Sequence, residues 1–246
     1  MAKSLRNLLI ALIGVSFWGV IYAASPKGLP SYLSGIQEGD LIFYKGLSSQ
    51  VPAINEASGS SWSHVGVLFK DEKGDWVVWE AVQPVGVNPL ESFVSRARQS
   101  KDRKDPLVAV YRLNRDKLKM SEEDFHQCLD KVKKRLKPHL GKDYNGRFLW
   151  NTTSLYCSQF VWEGFQACGI NIGTLENTSD LNIGPKVKAL FKKRVDAKTS
   201  GGKNATPQQV EEAFKQAYKG QKIVTPVSQL RDKKLSCIIG CDISDK

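Results

Sequence analysis

The chain is poor in the residues from which metal centres are built. Its 246 residues hold only three histidines, His64, His126 and His139, which lie far apart, and its five cysteines form no Cys-x-x-Cys pair. That argues against a zinc site. No internal repeat is present, which excludes solenoids and propellers. No basic stripe with interleaved aromatics is present either, which argues against nucleic acid as a partner despite a formal charge of +11. What is there is globular in composition: 41% hydrophobic, 25% charged, with six tryptophans. This is room for one large or two small domains and a sizeable core. The scattered lysines read as a solvated basic surface. They also suit an anionic cell-wall polymer or membrane surface.

The N-terminus is more specific. Lys3 and Arg6 precede the apolar stretch LLIALIGVSFWGVIYAA, residues 8–24. A basic start, an apolar run and small residues at its end describe a secretory signal. Cleavage after Ala23 or Ala24 would put Ile21 or Tyr22 at the −3 position, neither of them ideal. The stretch is also just long enough to serve as an uncleaved anchor. No cysteine ends it, which argues against lipid modification. In either case the expectation is export, to the periplasm or beyond, with or without an N-terminal anchor. Losing Lys3 and Arg6 would still leave a charge of +9. An odd cysteine count in an exported chain leaves at least one thiol unpaired. If Cys157 is that thiol, then Cys128, Cys168, Cys237 and Cys241 form two bridges or none; Cys237 and Cys241 are close enough in sequence to pair.

Turn residues and apolar periodicity divide the rest. LIFY (41–44), HVGVLF (64–69), WVVWEAV (76–82) and LVAVYRL (107–113) read as strands. Residues 47–62 read as a polar loop. SEEDFHQCLDKVKKRLKP reads as an amphipathic helix capped by Ser121, with Phe125, Cys128, Leu129, Val132 and Leu136 on one face and Pro138 at its end. A second helix opens at Cys157. KTSGGKNA (198–205) reads as a polar insertion, followed by a helix from Thr206-Pro207 to about Tyr218 that Gly220 stops. IVTP (223–226) is a short strand or turn. Strands first and helices after predict an α+β fold, an antiparallel sheet packed on helices.

Cys157 stands at the first turn of its helix, in SLYCSQFVWEGFQACG (154–169). Helix N-termini stabilise thiolates, and a thiolate is a nucleophile. A nucleophile needs a base, and the base needs an orienting group. His126 lies off the apolar face of its helix and His139 follows a helix-ending proline. His64 instead opens a strand after a serine-rich loop, where a sheet presents chemistry. In a hairpin of 64–69 with 76–82, a turn centred on Glu72 sets His64 opposite Glu80. A turn centred on Lys73 sets His64 opposite Val82, with Glu80 the diagonal neighbour. Both registers put the two side chains on one face. Glu80 is otherwise a costly carboxylate in the apolar strand VVWEAV. Cys157, His64 and Glu80 are therefore the candidate catalytic set, and this chemistry calls for no cofactor.

Six segments, GDLIFYKG (39–46), SHVGVLF (63–69), VVWEA (77–81), GKDYNGRF (141–148), YCSQFVWEGF (156–165) and VTPVSQL (224–230), fall in an order that resembles the circularly permuted, papain-like relatives of the NlpC-type peptidases, in the YaeF/YiiX branch. The resemblance covers roughly residues 36–235 and leaves 236–246 as a tail. It implies a permuted papain-like fold, with His64 as base, Glu80 as third polar residue and Cys157 as nucleophile. It also implies hydrolysis of an amide, ester or thioester, with a cell-wall peptide or a lipid-linked acyl group as substrate. Acyl transfer, or a binding module without turnover, are the rivals. One departure stands out: where the family often has glutamate, two residues after the cysteine, this chain has Gln159. Among aromatics near the motifs, Tyr44, Trp62, Tyr144 and Tyr156 are the candidate substrate-lining residues, with Trp79 and Trp150 as further candidates or as core. Nothing here sets an oligomeric state.

Overall fold

The computed structural model describes residues 29–99, 102, 104–150, 153–196 and 206–245. The expected leader (1–24) and the polar insertion (198–205) lie outside them. Among the described residues no helix is long and apolar enough to cross a membrane.

Six antiparallel strands form the main sheet. They are β1 (Leu41–Tyr44), β2 (His64–Lys70), β3 (Trp76–Glu80), β4 (Gly86–Pro89), β5 (Val108–Leu113) and β8 (Leu235–Ile239), in the order β4-β3-β2-β1-β5-β8; β6 (Glu176–Asn177) and β7 (Lys222–Ile223) pair separately, and the short α3 (Arg115–Leu118) follows β5. β1 is buried along its whole length, as its uninterrupted apolar run demands when both sheet faces are covered. On one face Leu41, Phe43, Val65, Val67 and Phe69 meet α4 (Glu122–Leu136) and α5 (Cys157–Gln166). On the other, Ile42, Tyr44, Leu68, Val78 and Val110 meet Leu90, Phe93 and Val94 of α2 (Leu90–Val94). The α+β reading with an antiparallel sheet on helices holds.

α4 begins at a capping box between Ser121 and Asp124 and buries Phe125, Cys128, Leu129, Val132 and Leu136, the face its periodicity predicts. A disulfide from Cys128 to Cys168 ties it to the end of α5. Cys237 and Cys241 form a second bridge, and Cys157 is the free thiol.

Three stretches depart from the sequence reading. Residues 51–58, expected within a loop, form α1 (Val51–Ser58). Pro52 sits in the first turn, where its missing N–H costs nothing, and Gly59 closes the helix at φ +64°. The tail expected at 236–246 instead supplies most of β8, because β5 would otherwise leave an unpaired edge. A helix after Gly184, α6 (Pro185–Asp196), had no reading in the sequence. Its amides at Lys186 and Val187 donate to the Glu56 carboxylate of α1, at 2.8 and 2.9 Å. An acid at a helix N-terminus is favourable, so this contact anchors α6 on α1. α7 (Pro207–Tyr218) packs on α6 through Phe191, Phe214 and Tyr218, whose rings lie 4.5–5.7 Å apart.

The β2–β3 hairpin pairs Val67 with Trp79 and Lys70 with Trp76, the register centred on Lys73. Gly66 lies between the two polar residues on that face. A Cβ there would meet Val78 Cγ1 at 2.4 Å, the Trp79 carbonyl at 3.1 Å and Glu80 Cβ at 3.2 Å. We expect Gly66→Ala to destabilise the fold by about 2 kcal/mol, because the overpacked neighbour belongs to a core strand. A urea melt checks this; an unchanged midpoint would mean that the hairpin has room.

Candidate active site

His64 is the first residue of β2, and its side chain lies on the α2 face of the sheet. Cys157 is the first residue of α5, packed on the opposite face. The two meet where β2 begins, because a side chain at a strand's end can reach past the sheet. His64 Nε2 lies 2.6 Å from Glu80 Oε2. The ring's other partner is the Cys157 thiol, whose ionisation it favours. All three side chains are buried: Cys157 is 2% exposed, His64 7% and Glu80 0%. The diagonal alternative of the sequence reading is the one found.

Two further residues complete the arrangement. Glu80 Oε1 accepts from Asn88 Nδ2 at 3.0 Å and from the Arg96 guanidinium. A fully buried carboxylate needs such donors. Sequence reasoning missed both, because Asn88 reaches Glu80 only through the β3–β4 pairing and Arg96 only through the turn after α2. Arg96 also lies over the rings of Tyr44 and Phe93, 5.7 and 5.5 Å from their centroids. Tyr44 in turn stacks on His64 with centroids 4.7 Å apart. The imidazole is thus held on its face by Tyr44 and at one nitrogen by Glu80.

The electrostatics favour an ion pair. Burial pushes the Cys157 thiol up, but the His64 ring and the N–H groups of Val65 and Ser158 at the sulfur outweigh it, and the thiol lies below its ordinary range. Burial disfavours the imidazolium, yet Tyr44, Cys157 and Glu80 together hold His64 well above its ordinary value. Burial also opposes ionisation of Glu80, but His64 and Arg96 keep its carboxyl low. The first turn of α5 has no side-chain cap, so no side chain competes with an anion for its N–H groups.

Among the lining candidates, Tyr156 borders the cavity that adjoins Cys157. Its hydroxyl accepts from the Val224 amide at 3.2 Å. Tyr44, Trp62 and Tyr144 do not border it. Tyr44 covers His64, Trp62 is buried with the Lys45 amine 5.2 Å from its ring, and Tyr144 packs on Phe148. Trp79 and Trp150 pack edge-on against Phe69 and Trp162. His126 is exposed and pairs with Glu122, and His139 ends the turn after α4. Gln159 is buried, with its Oε1 lacking a hydrogen-bond partner.

A free thiol at a helix start, engaged by a histidine that a carboxylate holds, is the site of a cysteine hydrolase of the papain kind. The chain belongs to the family of permuted papain-like amidase enzymes, the YaeF/YiiX C92 family, which it matches over residues 35–239. It is 32% identical over 168 residues to the uncharacterized protein YiiX of Escherichia coli K12, covering 68% of this chain and 76% of that one. The crystal structure described as metalloprotein YiiX from Escherichia coli O157:H7 superposes with a TM-score of 0.63. It is 27% identical and covers 82% of this chain and 96% of that one. Among the described residues here, no group of three or more His, Cys, Asp or Glu is placed to hold a metal ion.

Proposed function

We propose that this protein is an exported cysteine hydrolase that opens an amide, ester or thioester bond through an acyl-enzyme on Cys157. The observation that carries this reading is the buried contact chain Cys157–His64–Glu80. The thiolate attacks the substrate carbonyl, and the oxyanion that forms is held by N–H groups of the uncapped first turn of α5. His64 gives its proton to the leaving amine, alcohol or thiol as the carbon–heteroatom bond breaks, which leaves the acyl group on sulfur. His64, now neutral, takes a proton from water as that water attacks the thioester. The acid is released and the thiolate–imidazolium pair returns. Glu80 keeps the ring oriented and supports its charge. Export is supported by the basic and then apolar start of the chain and by the two disulfides, which suit an oxidising compartment.

The test is a burst experiment. With p-nitrophenyl acetate we expect one equivalent of nitrophenol per protein ahead of the steady rate, and an acetyl group on the Cys157 peptide by mass spectrometry. Cys157→Ala should abolish both. If nitrophenol appears equally from that variant, catalysis does not run through this thiol. If no acyl group is ever transferred, a binding module on the same fold becomes the better reading.

A further inference from the structure

After β8 the chain returns to the strand that carries His64. β8 ends at Ile239, and Gly240 turns the backbone at φ +72°. A Cβ there would lie 2.4 Å from the Val108 carbonyl oxygen, so only glycine lets the turn sit this close to β5. The Cys237–Cys241 bridge closes the same turn. The Ile243 amide donates to the Gly240 carbonyl at 3.1 Å, and Ile243 packs against the core on the α4–α5 face of the sheet. Ser244 and Asp245 are thereby brought to the segment between α1 and β2.

That segment, residues 60–63, is gripped at both ends. Asp245 takes one end. Its carboxylate accepts from the Ser60 hydroxyl, and its carbonyl accepts from the Ser61 amide at 3.2 Å and the Ser61 hydroxyl at 2.9 Å. Ser60 Oγ in turn accepts from the Trp62 amide at 3.1 Å. β1 and the residues after it take the other end. The Tyr44 carbonyl accepts from the Ser63 amide at 3.2 Å, and Ser63 Oγ accepts from the Gly46 amide at 2.9 Å. His64 is the next residue. Ser60, Trp62 and Ser63 are at most 4% exposed, so none of them shifts without moving its neighbours. Cations hold the clasp in turn: Arg231 pairs with the Asp245 carboxylate, and the buried Lys45 amine donates to the Ser244 carbonyl. Lys45 and Tyr111 also lie within electrostatic reach of Asp245.

We propose that Asp245 is a positioning residue for His64: the clasp of residues 240–245 fixes the 60–63 segment and, through it, the place where the imidazole meets Cys157. This rests on the reading of Cys157 and His64 as an acid–base pair, but its first readout needs no turnover. Glu80 and Tyr44 orient the ring, whereas the backbone entering β2 sets where the ring starts. A misplacement of about 1 Å is enough to cost a catalytic group much of its effect. The Cys237–Cys241 bridge belongs to the same device, because it limits the directions in which residues 242–245 can leave.

The test uses the full chain and reads pairing and turnover separately. In Asp245→Ala, alkylation of Cys157 by iodoacetamide at pH 6 should slow roughly three- to tenfold, the change in an equilibrium that losing one hydrogen bond brings. The acid limb of its pH profile should move to higher pH, and the acylation burst with p-nitrophenyl acetate should slow by the same factor. Asp245→Asn keeps an acceptor for Ser60 and should restore the wild-type profile. Ser60→Ala removes the same contact from the other side; it should reproduce the shift, and it serves should Asp245→Ala not fold. A purely structural role would lower the urea midpoint and leave the profile of the folded protein where it is. An unchanged acid limb in Asp245→Ala and Ser60→Ala therefore overturns the positioning role and leaves the hydrolase standing. A shifted limb that Asp245→Asn restores, with no burst from the wild type, upholds the positioning of the thiol–imidazole pair and removes the hydrolase. A wild-type Cys157 as slow at pH 6 as a free thiol overturns both.

Discussion

At pH 6, His64→Ala should slow alkylation of Cys157 by iodoacetamide by about a hundredfold. A free thiol with a pKa near 8.5 is only about 0.3% thiolate at that pH, and a lowered pKa removes most of this handicap while costing some intrinsic nucleophilicity. The direction follows from the site. Cys157 lies below its ordinary range and His64 above its own. The thiolate–imidazolium pair therefore persists between those two values. Reactivity falls as pH drops through the lowered thiol value, and the imidazolium is lost as pH rises through the raised imidazole value. Alkylation is followed by intact mass, with the four bridged cysteines as an internal silence. Equal rates in the two proteins would remove the pairing and, with it, the general acid of the proposed mechanism.

Glu80→Ala should destabilise the fold by about 3–5 kcal/mol, the cost of stripping one partner from a buried charged cluster. The carboxylate is fully buried and takes contacts from His64, Asn88 and Arg96. Its loss leaves a buried imidazole and a partly buried guanidinium without their anion. Glu80→Gln keeps the volume and one acceptor, so it should cost less and remain folded. Its signature is chemical. Glu80 raises the His64 pKa, so the amide should let the imidazolium titrate at lower pH and bring down the alkaline limit of the alkylation window. Denaturant melts and the pH profile of alkylation separate the two effects. A stable, catalytically normal Glu80→Ala would mean that Tyr44 stacking alone positions the ring.

Local signals in the chain reach far towards this site. Ser121 with Asp124, and Thr206 with Gln209, announce their helices because a cap is chemistry within one turn. The apolar runs of β1, β2 and β3 announce strands. The Lys73-centred hairpin brings His64 to Glu80 because strand side chains alternate with a period of two, which spacing alone can count. The permuted papain-like order of motifs could be read for the same reason: each is a short contiguous stretch.

Other features depended on pairings between distant segments. Residues 51–58 look like loop until Glu56 meets the N-terminus of α6 across some 130 residues of chain. The last strand looks like tail until β5 offers it an edge. Asn88 and Arg96 join Glu80 only after β4 and α2 have folded over β3. The cavity beside Cys157 draws its wall from segments spread along the chain, from Ala53 of α1 to Pro226 of α8 (Pro226–Leu230). The sequence by itself determined which thiol, imidazole and carboxylate could act together, because helix capping and strand parity are short-range rules. Only the tertiary structure decided what surrounds them, because burial and hydrogen-bond satisfaction are properties of the assembled core.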